Sequence, residues 1–279
     1  MQAKGALKFT KMQGLGNDFI LVENWDKKIE QPAALARRIC ARRLSAGADG
    51  LMLIEPSAGA DARMHFLNAD GSEAEMCGNG IRCFARYLYD SGMVRKEKMR
   101  IQTGAGIVQP EIILCGGAVA GVRVEMGSPE FCPEKIPVRG AAWGEELALS
   151  GKKLRFYAVR MGVPHAVLLV EDAADPEWMR LGAQIEANTA LFPERINVNF
   201  VQVISKSQAA IRTYERGAGP TLACGTGSCA AAVVLHKLGL CRAQVEMLHA
   251  PGALLIELQG EKVFMQGPAE YVYQAELMA

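Results

Sequence analysis

Apolar positions along this chain follow two periods, one typical of short strands and one typical of helices. Residues 13–23 form a glycine-rich turn that runs into an apolar strand, and residues 51–54 are predicted to be a buried strand. Between them Pro32 begins a helix whose buried side includes Leu35 and Ile39. Further strands are predicted at 99–101, 107–114 and 119–126. The pattern therefore predicts a chain of the α/β (α+β) class.

Two more helices are predicted directly after similar five-residue segments. The sequence CGNGI at 77–81 precedes apolar residues at helical spacing, which continue to Leu88. The sequence CGTGS at 224–228 precedes a helix, 230–238, that is apolar almost all round. Such a helix is enclosed by other elements instead of lying on a surface. Each segment combines a cysteine, two glycines and a small polar residue at the start of a helix.

The order of elements in the first half returns in the second. When Gly162 is aligned with Gly14, residues 168–171 align with residues 20–23, and residues 197–201 align with residues 49–53. Cys224 then takes the place of Cys77. This repeat predicts two pseudo-symmetric domains, each a mixed sheet wrapped around a central helix. We place the domains at 1–126, carrying Cys77, and 127–266, carrying Cys224, with the tail from about 267 to 279 able to return to the first.

Length and composition agree with two ordinary globular domains. The chain has 279 residues, half of them apolar, and a net charge of +1. Nothing in this balance indicates nucleic acid, and no window approaches the ~18 apolar residues of a membrane span. The N-terminus has no apolar signal segment, so we predict a cytoplasmic protein whose eight cysteines are reduced. Their spacing matches no common zinc site, and no metal is predicted.

The two cysteine segments predict a specific chemistry. A cysteine at the start of a helix lies at the positive end of the helix dipole, which favours its thiolate. The glycines let an anion approach the free N–H groups of the first turn. Two such helix ends facing one another in a cleft would hold an amino acid carboxylate with a sulfur on each side of its α-carbon. A thiolate then removes the α-proton while the opposite thiol delivers another. No role is predicted for the other cysteines, Cys40, Cys83, Cys115, Cys132, Cys229 and Cys241.

Several ordered blocks carry a resemblance to a known family: GLGNDF at 14–19, NADG at 68–71 through CGNG at 77–80, FPER at 192–195, and ERG at 215–217 through ACGTG at 223–227. With these blocks the sequence resembles the diaminopimelate epimerases, of the pyridoxal-independent amino acid racemase family, over essentially the whole chain. The resemblance implies a two-domain fold, no cofactor and a homodimer. It also implies interconversion of LL- and meso-diaminopimelate, a small-molecule amino acid substrate, in lysine and cell-wall synthesis.

The same resemblance implies roles for individual residues. Cys77 and Cys224 match the acid and base thiols, and His165 and Glu215 match residues that adjust the thiol pKa values. The positions that match substrate contacts are Asn17, Asn68, Gly78, Asn79, Asn197, Glu215, Arg216, Gly225 and Thr226.

Two positions depart from the family pattern. The usual Gly-Asn-Pro-His reads GVPH at 162–165, so an amide that would contact the far end of the substrate is absent. Many members also carry Gln after the aspartate where this chain has Gly50. Losing one hydrogen bond to a charged group typically costs ~1.5–3 kcal/mol unless water or a neighbour substitutes. The proton transfer by the two thiols is therefore predicted more firmly than recognition of the far end of the substrate.

The residues alone leave alternatives open. His165 is either a structural histidine or a tuning group, Arg216 either clamps a carboxylate or pairs with Glu215, and Asn17 and Asn68 are also common turn residues. The whole chain could be a racemase of another amino acid, such as histidine or lysine. Other classes are a thiol redox switch that joins Cys77 to Cys224, and a non-catalytic amino-acid-binding module.

Overall fold

The computed structural model describes residues 6–278. The chain divides into two compact units, the first running to Val124 and resuming at Gly267, the second spanning Glu125–Gln266. None of the helices in the described part of the chain is long and apolar enough for a membrane crossing.

Its elements in chain order are β1 (Leu7–Gly14), β2 (Asn17–Glu23), α1 (Pro32–Ile39), β3 (Gly50–Glu55), β4 (Ala62–Asn68), α2 (Gly78–Asp90), β5 (Ile101–Thr103), β6 (Gly106–Val108), β7 (Glu111–Cys115), β8 (Ala118–Glu125), β9 (Trp143–Leu149), β10 (Lys152–Met161), β11 (Val163–Leu169), α3 (Glu177–Glu186), β12 (Asn197–Ser205), β13 (Gln208–Glu215), β14 (Gly219–Thr221), α4 (Gly225–Lys237), β15 (Gln244–His249), β16 (Gly252–Gln259), β17 (Lys262–Gly267) and β18 (Glu270–Leu277).

The first unit is built on a mixed sheet with strand order β18-β1-β2-β3-β4-β5-β6. Strand β1 pairs antiparallel with β2, and β2 pairs parallel with β3 after the crossover helix α1. Strand β4 is antiparallel to β3 and, after helix α2, parallel to β5. The end of the chain closes this sheet, because β18 pairs antiparallel with β1. Strands β7 and β8 form a hairpin.

The second unit repeats these connections in a sheet whose order runs β17-β16-β15-β13-β12-β11-β10-β9, with β14 paired to β13. Strands β10 and β11 are antiparallel, and β11 is parallel to β12 after α3. Strand β13 is antiparallel to β12 and, after α4, parallel to β15. The predicted class, a repeated α+β fold with mixed sheets, is confirmed.

Apolar packing explains where the helices lie. In the first unit Ile39 of α1 packs with Ile20 and Leu51 of the adjoining strands. In the second, Leu181 of α3 packs in the same way with Phe200 of β12. Helix α4 is enclosed as its apolar composition predicts, with every residue from 227 to 235 buried. The cysteine helices are therefore set firmly within their own units.

Strand pairing corrects part of the repeat alignment drawn from the sequence. Phe19 pairs with Gly50 in the first unit, and His165 pairs with Asn197 in the second. Asn197 therefore corresponds to Gly50, and not to Asp49. Because side chains alternate across a sheet, a one-residue slip exchanges the two faces of a strand. The alignment of the two halves of the sequence could not show this shift, because the loops before the strands differ in length.

The turn that precedes this pairing is also shorter in the second unit. Gly14 pairs with Asn17, whereas Met161 pairs with Val163. Val163 therefore occupies the position of Asn17, and Gly162 lies within the turn instead of on Gly14. The sequence alignment matched residues 168–171 with residues 20–23. In the structure they correspond to positions two residues further along the first unit.

Candidate active site

Cys77 lies directly before helix α2 and caps its N-terminus, with φ −134° and ψ 124°. Its thiol is half-buried and donates to Asn17 Oδ1 at a sulfur-to-oxygen distance of 3.5 Å. The side-chain amide of Asn79 donates to the same oxygen at 3.3 Å. Gly78 and Asn79 are the first two residues of α2, at the positive end of the helix dipole. Four of the predicted site residues therefore lie together.

The orientation of the Asn17 amide is set from behind by Asp49. Asn17 Nδ2 donates to Asp49 Oδ2 at 2.6 Å, and Arg42 pairs with the other oxygen of that carboxylate at 2.8 Å. Since the carboxylate can only accept, the nitrogen of Asn17 faces Asp49 and its oxygen faces Cys77. Asp49 was not singled out from the sequence in this role, and its only signal was its position just before β3.

Asn68 is the last residue of β4 and is held by contacts with the turn that follows. Its amide donates to Ser72 Oγ at 3.0 Å, and Ser72 in turn donates to Asp70. These contacts are those of the turn residue that the sequence alone also allowed. A substrate contact by Asn68 stays a prediction.

Cys224 caps helix α4 with nearly the same backbone conformation, φ −120° and ψ 112°. Its thiol is buried, 5% exposed, and lies 3.5 Å from Thr226 Oγ1. The backbone N–H of Gly227 and the side chain of Glu215 also hydrogen-bond to this sulfur. Gly225 is the first residue of the helix, as Gly78 is in α2.

The surroundings of Cys224 favour its thiol form. Burial raises the pKa of Cys224, and the nearby Glu215 carboxylate raises it further, while the hydroxyl of Thr226 and the N–H of Gly227 lower it. The N–H of Gly227 acts in the direction expected of a helix terminus, but loss of hydration on burial has the larger effect on the pKa of Cys224.

Glu215 is the acceptor beside this thiol. Burial raises its own pKa, against the hydrogen bonds from Thr221 and Cys224, which lower it. Thr221 Oγ1 donates to Glu215 Oε1 at 2.6 Å from the short strand β14. Cys224 and Glu215 are therefore positioned to share a proton. Thr221 was not singled out from the sequence.

Asn197 and Arg216 are joined at the ends of β12 and β13. Asn197 Nδ2 donates to the carbonyl of Pro164 at 2.9 Å, and the backbone N–H of Arg216 donates to Asn197 Oδ1 at 2.9 Å. The Arg216 guanidinium is exposed and donates to the Glu194 carbonyl at 2.9 Å. Within residues 6–278 no ion pair joins it to Glu215, so its remaining donors face outward.

His165 is completely buried on β11 and is linked to Asn199 of β12. Asn199 Nδ2 lies 3.2 Å from His165 Nδ1, and Thr213 donates to Asn199 Oδ1 at 3.1 Å. Burial, with a smaller effect of the Arg216 charge, lowers the pKa of His165 to about 3. The histidine is therefore neutral at physiological pH. Asn199 and Thr213 were not singled out from the sequence, where their one signal was a polar residue on the inward face of an apolar strand.

The two departures from the family pattern have different structural settings. Val163 occupies the position of Asn17 and presents no amide. At Gly50, a Cβ would lie 2.5 Å from the Phe66 ring and 2.8 Å from the Leu67 carbonyl. The space for a longer side chain at Gly50 is therefore filled by Phe66.

None of the other six cysteines directly precedes one of the described helices, as Cys77 precedes α2 and Cys224 precedes α4. Burial raises the pKa values of Cys40 and Cys83 to about 12, so neither is a ready thiolate. Among the described residues no three His, Cys, Asp or Glu side chains are grouped as metal ligands would be.

Solved structures define the class of fold. The model matches a PhzF-family phenazine biosynthesis protein of Bacillus anthracis with a TM-score of 0.73 at 16% identity, covering 99% of this chain and 100% of that one. It matches a hydroxyproline epimerase of Agrobacterium vitis with a TM-score of 0.72 at 17% identity, covering 99% of this chain and 92% of that one. The chain therefore has the fold that these two proteins share.

Sequence comparisons then identify the family. The model of the family described as "Diaminopimelate epimerase" matches residues 9–132 and 157–272. A diaminopimelate epimerase of Moorella thermoacetica is 46% identical over 276 residues, covering 97% of this chain and 99% of that protein. One of Caldanaerobacter subterraneus subsp. tengcongensis is 44% identical over 275 residues, with coverage of 97% and 99%. The chain belongs to the diaminopimelate epimerase family and is an epimerase, so the resemblance is confirmed.

Proposed function

We propose that this enzyme interconverts LL- and meso-diaminopimelate through two cysteine thiols, without a cofactor, and that it acts in the cytoplasm in lysine and peptidoglycan biosynthesis. One observation carries the proposal: each repeat places a cysteine at the N-cap of its own α-helix, Cys77 before α2 and Cys224 before α4. Relatives that match almost the whole chain support the choice of substrate.

The reaction needs one base and one acid that reach opposite faces of the α-carbon. One cysteine acts as a thiolate, takes the α-proton and becomes a thiol, and the electron pair of the broken C–H bond stays on the α-carbon. The other thiol then gives its proton to the opposite face, and the electrons of its S–H bond remain on sulfur. Running the exchange backwards returns both protons. The two sulfurs hold one proton between them, so their titrations are coupled.

Stabilisation of the carbanion is assigned to the helix N-termini. The N–H groups at Gly78, Asn79, Gly225 and Thr226 are donors for the substrate carboxylate, which takes up negative charge as the proton leaves. A preorganised donor of this kind contributes ~3–4 kcal/mol to transition-state stabilisation. Asn17, Asn68 and Asn197 supply further polar contacts to the substrate.

Three charged or titratable groups complete the proposal. Glu215 accepts the hydrogen bond of the Cys224 thiol, and its nearby negative charge raises the pKa of that thiol. His165 adjusts the site as a neutral hydrogen-bond donor, because burial lowers its pKa to about 3. Arg216 has an exposed guanidinium with donors left over for a carboxylate at the far end of the substrate.

The test is exchange of the α-proton in D₂O. Diaminopimelate should incorporate deuterium at the carbon that epimerises, and LL- and meso-forms should interconvert. Val163, an apolar residue in the position of Asn17, favours one second candidate, a racemase of another amino acid by the same chemistry. Exchange with histidine or lysine but not with diaminopimelate would establish that candidate and refute our proposal.

We also propose a homodimer, which light scattering of the purified enzyme would test.

A further inference from the structure

The interior positions beside the two cysteine helices carry different chemistry in the two units. Strand pairing makes these positions equivalent, since Met52 pairs with Phe66 as Asn199 pairs with Thr213. A glycine three residues after each cysteine lies against Met52 in the first unit and against Asn199 in the second. The first unit has Phe19, Met52 and Phe66 where the second has His165, Asn199 and Thr213.

In the first unit the three side chains form a hydrocarbon layer. The rings of Phe19 and Phe66 meet edge to face, with centroids 5.8 Å apart. Met52 lies under Gly80, with its Cε inside the space that a Cβ there would need. All three are buried, at most 7% exposed, so packing alone fills these positions in the first unit.

In the second unit the same positions form a directed hydrogen-bond chain. Asn199 Nδ2 lies 3.1 Å from the carbonyl of Ala166, which can only accept, and this contact fixes which end of the amide is nitrogen. The second hydrogen of that nitrogen points to His165 Nδ1 at 3.2 Å. Thr213 donates to the amide oxygen at 3.1 Å and locks the orientation. His165 Nδ1 is therefore an acceptor, and the ring proton lies on Nε2.

The Nε2–H group is the open end of this chain. Nε2 is fully buried and has no hydrogen-bond partner within residues 6–278. An unsatisfied buried donor destabilises the folded state, a penalty that the phenylalanine of the first unit avoids. A donor that is held in one orientation and left unpaired is suited to a group that arrives only with the substrate.

We propose that Thr213 and Asn199 are positioning residues that hold His165 as the Nε2–H tautomer, so that this buried N–H is the donor available to the reacting complex. The positioning role of Thr213 and Asn199 rests on the proposed function, whereas the assignment of the His165 tautomer does not. Neither residue touches the substrate in this scheme. Both act through the orientation of the imidazole ring.

The tautomer is tested by NMR of protein labelled with ¹⁵N-histidine, with His165 assigned by its loss in His165→Gln. The expected spectrum of the unaltered enzyme shows an unprotonated Nδ1 and a protonated Nε2 throughout the neutral range. In Asn199→Asp at alkaline pH the ionised carboxylate only accepts, so Nδ1 should become protonated. A protonated Nδ1 in the unaltered enzyme, or an unchanged spectrum in Asn199→Asp, would overturn the proposal.

Kinetics test the role with a matched pair. Thr213→Val removes the hydrogen bond at nearly constant shape and should lower kcat about 3- to 10-fold with KM changed less than about 2-fold. Thr213→Ser keeps the hydroxyl and should restore kcat to within about 2-fold of the unaltered enzyme. Met52→Leu, at the apolar position of the first unit that is equivalent to Asn199, is the control and should also stay within about 2-fold. Equal kcat values for the Val and Ser variants would refute the positioning role.

Failure of this inference can be distinguished from failure of the proposed function, because the histidine NMR spectrum is recorded without substrate. An enzyme with the expected tautomer but no exchange of diaminopimelate would refute the proposed function and leave the tautomer assignment in place. Normal epimerisation with Nδ1 protonated would refute only the inference drawn here.

Discussion

The two units share a backbone plan but differ in what lies beside each cysteine. In the first unit Cys77 is half-buried and donates to a neutral amide oxygen of Asn17. In the second Cys224 is buried and donates to the Glu215 carboxylate. Duplication therefore repeated the helix, the cap and the glycines, while the side chains around each sulfur diverged. The difference teaches that backbone symmetry does not make the two thiols equivalent acids.

The largest expected effect comes from removing either thiol. If each unit supplies one half of a proton exchange, Cys77→Ala and Cys224→Ala should each lower epimerisation at least about 1,000-fold, because no other group replaces the lost acid or base. Both are measured in reducing buffer by exchange in D₂O and by product formation. Cys229→Ala is the control and should keep near-normal turnover. Retained activity in Cys77→Ala would instead favour the redox switch.

The next effect concerns stability in acid. It depends on the imidazole of His165, and the equivalent residue of the first unit, Phe19, has no such titrating group. Burial lowers the pKa of His165 from 6.5 to about 3, so the unfolded chain binds a proton that the folded chain does not. The stability linked to the neutral ring is present above pH 6.5 and is lost as the pH falls toward 3, on the order of 1.4 kcal/mol per pH unit.

Urea unfolding at several pH values checks this linkage. His165→Gln should flatten the stability curve between pH 6.5 and 3, whatever its stability at neutral pH. Phe19→Leu, at the equivalent position of the first unit that carries no titrating group, serves as the control and should leave the slope unchanged. Equal slopes for His165→Gln and the unaltered enzyme would show that the imidazole does not titrate as described.

A smaller effect compares the glycines on the two helices. A Cβ at Gly227 would overlap Asn199 Oδ1, which is held by Thr213, whereas at Gly80 it would meet the flexible end of Met52. Gly227→Ala should therefore lose about 1–3 kcal/mol of unfolding free energy, and Gly80→Ala should lose less. Denaturant unfolding of the two variants side by side measures the difference. The reverse order would contradict the rigid polar layer of the second unit.

The smallest effect concerns Asp49, which orients Asn17 in the first unit and has no described counterpart in the chain of hydrogen bonds around Cys224. Asp49→Ala frees the amide to turn, and since this carboxylate is partly exposed we expect a loss in kcat/KM of about 3- to 10-fold. Steady-state kinetics check it, with the exposed Asp26→Ala as control. No loss would show that Asn17 keeps its orientation without Asp49.

Local sequence predicted the parts of the site that depend on neighbouring residues. The helix-starting cysteines, their glycines, the crossover helix at Pro32 and the enclosed helix α4 are all encoded within short windows, because caps and hydrophobic periodicity act over a few residues. The repeat was visible for the same reason. Its alignment failed by one residue at Asn197, since pairing register depends on turn lengths and on the partner strand.

By itself, then, the sequence determined the repeated α+β plan, the two candidate thiols and the family to which the chain belongs. Only the tertiary structure decided that Asp49 orients Asn17, that Thr213 and Asn199 fix the ring of His165, and that Cys224 is held as a thiol. These contacts join residues from separate strands, and the pKa of a buried thiol depends on how much water the whole fold removes. Such quantities are properties of packing in three dimensions and leave little trace in a local pattern of residues.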